Sequence, residues 1–165
     1  MSPFPPDLLA EAEALLTACR EAGLKLATVE SCTGGLVAGL LTEIAGSSDV
    51  VERGYVTYSN LAKKTEVGVR AETLAENGAV SEAVARSMAQ GGLRESDADL
   101  AVSITGIAGP GGGSADKPVG LVWFATARRD GETRTHVERF GDLGRSEVRL
   151  AAVRTAMDLL KARVG

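Results

Sequence analysis

Residues 24–46 read Leu-Lys-Leu-Ala-Thr-Val-Glu-Ser-Cys-Thr-Gly-Gly-Leu-Val-Ala-Gly-Leu-Leu-Thr-Glu-Ile-Ala-Gly. Leu24 to Val29 is short and β-prone and reads as a strand. Residues 35–45 are mostly apolar, read as a helix, and are closed by Gly46. Between them lies the turn Glu30-Ser31-Cys32-Thr33-Gly34-Gly35. A strand, a tight turn and a helix in one run are the unit from which α/β folds are built.

The pattern continues on both sides. Upstream, Asp7 follows the Pro5-Pro6 breaker and is placed to cap a helix. Its apolar positions Leu8, Ala12, Leu15, Leu16 and Cys19 recur at three- and four-residue spacing, and Gly23 ends it. Downstream, Val50–Ser59 reads as a strand, with short helical pieces around Leu61–Glu66 and Ala71–Glu76 that stop at Asn77-Gly78. Ser81 caps a helix running to Gln90, with Glu82 in its first turn. Asp99–Thr105 reads as a buried strand, and Val119–Ala127 and Thr133–Phe140 flank the hairpin signal Asp130-Gly131. The last helix, Arg145 to Arg163, puts Val148, Ala152, Ala156, Leu159 and Leu160 on one face. Strands alternating with helices, plus one hairpin, predict an α/β fold: a mixed sheet with helices on both faces.

A length of 165 residues with 44% hydrophobic content fits one domain, residues 1–165. Lys and Arg total 18 against 22 Asp and Glu, with no long block of either sign, which disfavours nucleic acid as a partner. Cys19 and Cys32 form no disulfide framework, and no segment has the length or apolarity of a signal peptide or membrane span. A cytoplasmic protein is expected.

In an open α/β sheet, ligands bind beyond the carboxyl ends of the strands, which directs attention to the segments after Val29 and Ile104. In the first, Ser31 and Thr33 sit on a turn entering a helix. They read either as helix caps or, for Ser31, as a nucleophile whose oxyanion the N–H groups near Thr33 and Gly34 would hold. The glycines of a G-x-S-x-G elbow are missing. Cys32 is a rival nucleophile or a small buried hydrophobe. The second segment has five glycines among residues 106–113, which suits a phosphate cradle or a flexible turn. It matches neither the P-loop nor the G-x-G-x-x-G fingerprint. The lone histidine, His136, lies in a strand as a surface residue of the hairpin, so no metal site and no Ser-His-Asp triad is readily assembled, and no cofactor is expected. The bases within reach of an amide-cleaving serine are Tyr58, Lys63 and Lys64. A lysine acts as base only if burial or a neighbouring cation lowers its pKa; otherwise the two lysines are a solvated pair.

Five segments in order then resemble the CinA C-terminal family, the nicotinamide-nucleotide amidohydrolases of bacteria. They are Glu30–Gly35, Arg53–Asn60 with Lys63, Gly78–Ser81, Thr105–Gly112 and Lys117–Gly120, within a match from about Leu8 to Leu160. The resemblance implies a three-layer α/β/α sandwich with a mixed, mostly parallel sheet and one β-hairpin. It implies a metal-free amidohydrolase acting on the carboxamide of nicotinamide mononucleotide, with Ser31 as nucleophile and Lys63 as base. Tyr58 and Thr105 join them in the catalytic set. Glu30, Thr33, Gly34, Gly35, Asn60, Gly106, Gly109, Gly111, Gly112 and Gly113 are expected to bind the substrate. Arg145 is expected to do the same, matching the arginine of a Gly-Asp-Arg motif that here reads Gly141-Asp142-Leu143-Gly144-Arg145 with two inserted residues. The large N-terminal domain of many relatives is not seen, so a stand-alone deamidase is expected, as is a homodimer through the hairpin edge. The alternative is a regulatory module of the same fold that binds a nucleotide without turnover.

Overall fold

A computed structural model describes residues 1–165. Five strands form one sheet in the order β2-β1-β3-β4-β5. They are β1 (Leu26–Glu30), β2 (Val51–Val56), β3 (Leu100–Gly106), β4 (Leu121–Arg128) and β5 (Thr133–Arg139). β1 pairs in parallel with both β2 and β3, and the β3–β4 and β4–β5 ladders are antiparallel. The sheet is therefore mixed. β2, β1, β3 and β5 run one way and β4 the other.

All five residues of β1 are buried, as expected of a central parallel strand covered on both faces. On one face lie α1 (Pro6–Ala22), α2 (Leu36–Thr42) and α6 (Arg145–Val164). There Leu26, Val102, Ile104 and Phe124 meet Leu16, Leu40, Val153 and Met157 in the main apolar core. On the other face lie α3 (Asn60–Val67), α4 (Ala71–Asn77) and α5 (Glu82–Arg94). Much of the second face is alanine, Ala27, Ala101, Ala125 and Ala127 against Ala85 and Ala89, and beside it Val29 meets Val67, Val84 and Met88. Small side chains on both partners let α5 lie close to the sheet. No helix is long and apolar enough to cross a membrane.

That close approach corrects one boundary. The sequence pattern ends α5 at Gln90, before Gly91-Gly92, yet the helix continues to Arg94. A Cβ on Gly91 would fall 1.9 Å from the Val67 carbonyl oxygen, and one on Gly92 2.5 Å from Val29 Cγ2. Glycine serves there as the thin side of a helix rather than as its end. Two other ends differ. Pro5 occupies the cap position of α1 without a side-chain cap, and Asp7, in the first turn, pairs instead with Arg154. α2 stops at Thr42, and Gly46 opens a 3₁₀ turn, Ser47–Asp49.

The connection from β1 to β2 crosses one face and the connection from β2 to β3 the other. The carboxyl ends of β1 and β3 therefore flank a topological switch point, where an α/β sheet opens a crevice.

Candidate active site

The four co-directional strands each release a functional segment at the same edge of the sheet. After β1 comes Ser31, whose N–H still donates to the Ile104 carbonyl at 2.9 Å, so the sheet itself fixes its position. After β2 comes α3, capped by Ser59, whose hydroxyl accepts from the Ala62 N–H at 3.0 Å. One turn into that helix Lys63 points inward and is 1% exposed. Its Nζ lies 3.0 Å from Ser31 Oγ, 2.8 Å from the Thr57 carbonyl and 3.2 Å from the Tyr58 carbonyl. Burial pushes the Lys63 pKa below the ordinary lysine value, only partly opposed by Cys32, and no carboxylate forms an ion pair with it. In the neutral amine the two carbonyls take its two N–H bonds. The lone pair is then directed at the Ser31 hydroxyl. An amine and a hydroxyl so placed can serve as base and nucleophile, and the solvated-pair reading of Lys63 does not hold.

The turn after Ser31 corrects several expectations. Glu30, assigned to substrate binding, is fully buried and faces away from the cleft. Its carboxylate accepts from the Thr33 hydroxyl at 2.7 Å and from the Val37 and Ala38 N–H groups at 2.9 and 3.0 Å. It holds the start of α2 in place. Thr33 is also fully buried, and Gly34 and Gly35 lie outside the cleft wall. The Gly34 N–H donates back to the Ser31 carbonyl at 3.0 Å, closing the turn, so it is not free for an oxyanion. The N–H groups of Cys32 and Thr33 donate to no other residue. Arg149, which the sequence reading passed over, donates from Nε to the Cys32 carbonyl at 3.0 Å and from Nη2 to the Thr33 carbonyl at 3.3 Å. It lies four residues beyond Arg145, on the same face of α6, and that spacing was the available signal. Cys32 is 5% exposed and burial pushes its thiol up to about 11, which disfavours the thiolate a nucleophile needs.

These residues open onto a cleft of about 280 Å³. Ser31, Lys63 and Thr105 line it together with Tyr58, Asn60 and Arg145, and the glycine loop contributes Gly106, Gly109, Gly111 and Gly112. Thr105 donates its hydroxyl to the Ala79 carbonyl at 2.9 Å and so ties the β3 end to the α4–α5 connection. Arg145 spans the mouth, donating to the Gly109 carbonyl at 2.9 Å and the Tyr58 hydroxyl at 3.0 Å. In the loop, the N–H groups of Ala108, Gly109, Gly111, Gly112 and Gly113 have no protein acceptor. Gly113 nevertheless lies outside the wall, packed on Val119. Ala79, Val80, Ile107 and Ala108, which lie within the Gly78–Ser81 and Thr105–Gly112 segments without having been assigned a role, form an apolar wall. His136 is half-buried on β5, 2.8 Å from Glu138 and away from the cleft.

The chain is similar to known proteins along nearly its whole length. The nicotinamide-nucleotide amidohydrolase PncC of Escherichia coli (strain K12) is 53% identical over 155 residues, 93% of each chain. A putative competence-damage inducible protein of Caldicellulosiruptor saccharolyticus is 45% identical over 92% of this chain, which spans 36% of that protein. Among solved structures, the competence/damage inducible protein CihA from Agrobacterium tumefaciens superposes with a TM-score of 0.96 at 57% identity, covering 98% of both chains. The family profile of the CinA C-terminal domain matches residues 9–164, and the chain belongs to that family.

Proposed function

We propose that the protein hydrolyses the carboxamide of nicotinamide mononucleotide, releasing ammonia and the nicotinate nucleotide. The similarity to nicotinamide-nucleotide amidohydrolases over nearly the whole chain supports the substrate. One observation carries the mechanism: a buried lysine amine, held by two carbonyls, 3.0 Å from Ser31 Oγ.

Lys63 takes the Ser31 proton as Oγ attacks the carboxamide carbon, and the free N–H of Cys32, which lines the cleft next to Ser31, is available to the oxyanion. Collapse of the intermediate breaks the carbon–nitrogen bond, with Lys63 returning the proton to the departing ammonia. Water then cleaves the acyl-serine with the same amine as base. The unoccupied N–H groups of the glycine loop, with Arg145 above them, suit the phosphate, which anchors the amide over Ser31. Free nicotinamide lacks that anchor and should lose turnover as well as affinity.

Incubation with nicotinamide mononucleotide should release ammonia. Tight binding without product over hours would identify a regulatory module instead. The reading also carries a cytoplasmic homodimer, and a monomeric mass by light scattering at micromolar concentration would count against it.

A further inference from the structure

Taking the cleft as a carboxamide hydrolase site, we propose that it selects the amide and the phosphate but not the positive charge of the pyridinium ring, and so also takes phosphorylated ribosides of uncharged aromatic carboxamides.

The charged side chains of the cleft wall are Lys63 and Arg145, both basic; no Asp or Glu lines it. The carboxylates nearest in sequence do not serve. Glu30 is fully buried with its oxygens occupied by Thr33, Val37 and Ala38, and Asp116 and Asp142 are exposed outside the wall. Several carbonyl oxygens of the wall are occupied, and those of Val80, Ala108, Gly111 and Gly112, which have no donor, are neutral dipoles rather than counter-ions. Ala79 accepts from Thr105, Gly109 from Arg145, Ile107 from the Gly120 N–H, and Thr57 and Tyr58 from Lys63. What remains for the ring is the apolar wall of Val80, Ile107 and Ala108, which packs on a flat ring whatever its charge, and Tyr58, whose exposed ring adds only a weak attraction for a cation.

A cation placed there gains no ion-pair partner and loses water. Acylation also moves a proton onto Lys63, adding positive charge beside the carbon to which the ring is attached. An uncharged ring avoids that repulsion. Its amide is less activated than one on a pyridinium, so the expected signature is a lower kcat with an undiminished affinity. The reaction is unchanged in form: water's oxygen ends on the acyl carbon, the carbon–nitrogen bond breaks, and ammonia leaves.

The test compares nicotinamide mononucleotide with benzamide riboside 5′-phosphate, which replaces the ring nitrogen by carbon. Dissociation constants are measured by calorimetry on the Ser31→Ala protein, and ammonia release on the unaltered enzyme. The neutral ligand should bind within about threefold of the mononucleotide or tighter, and release ammonia more slowly. A dissociation constant more than tenfold weaker, or no ammonia release from a ligand that binds, would overturn the proposal while leaving the mononucleotide activity standing. If the mononucleotide is not hydrolysed at all, the hydrolase reading fails, and the binding ratio still decides whether the ring charge is read. Val80→Asp supplies the missing carboxylate and should shift the affinity ratio at least fivefold toward the mononucleotide. An unchanged ratio would place the ring elsewhere and count against the proposal.

Discussion

The turn after β1 and the loop after β3 leave neighbouring strands at the same end of the sheet, yet the first is braced by side chains and buried while most of the second is neither. In the turn, Glu30, Thr33 and Arg149 hold the main chain from both sides, and Ser31, Cys32 and Thr33 are buried. In the loop, five consecutive non-proline N–H groups from Ala108 to Gly113 have no protein acceptor, and the segment from Pro110 onward is exposed. A reacting atom needs a fixed address, so the turn is overdetermined. A bound anion supplies its own acceptors, so the loop leaves its donors unfilled.

That division orders the effects of substitution. Ser31→Ala should lower kcat by on the order of 10³-fold or more with little change in mononucleotide affinity, measured by ammonia release and calorimetry. Retained activity would transfer the nucleophile's role to a water. Lys63→Arg keeps a cation but cannot supply a neutral base, and should cost about 10²- to 10⁴-fold in kcat. The pH dependence gives an independent reading of the same group. Lys63 is pushed down by burial and is active when deprotonated, so kcat/KM should rise with pH through a limb lying below the usual lysine value of about 10.4. A limb at or above that value would mean that the amine is not the base.

On the loop side, Arg145→Ala should raise KM for the mononucleotide by roughly 10- to 100-fold, the worth of a charge-assisted hydrogen bond, and barely alter the riboside. Equal losses on both would remove the phosphate from that position. The smallest effect belongs to Cys32→Ala. With its thiol held protonated, activity should stay within roughly threefold and resist thiol-alkylating reagents.

The sequence makes visible what periodicity and punctuation encode. β1, its turn, α2, the hairpin and the long α6 all follow from apolar spacing and from Gly or Ser boundaries, and the mixed sheet follows from their order. Passage of α5 through Gly91-Gly92 is not visible, because it depends on how closely a helix meets Val67 and Val29, elements distant in sequence. The site divides similarly. Ser31 and the glycine loop stand out as unusual strand endings. The burial of Lys63 does not, since the groups that hold it are the carbonyls of Thr57 and Tyr58, and backbone acceptors leave no trace in residue type. Glu30 misleads for the same reason: its partners are two main-chain N–H groups and a neighbouring hydroxyl, so a polar residue at a ligand-facing turn was in fact turned inward.

The confinement of Lys63 also has an entropic side. A free lysine side chain carries about 2 kcal/mol of rotamer entropy, and a base recruited from solvent would surrender it at each encounter with substrate. Here the chain is immobilised when α3 docks, with its tip on two carbonyls and its stem in the interior. The cost is met once, by the cohesion of the fold. The approach of base to nucleophile is thereby removed from the activation barrier, and what remains to be ordered in each turnover is the substrate.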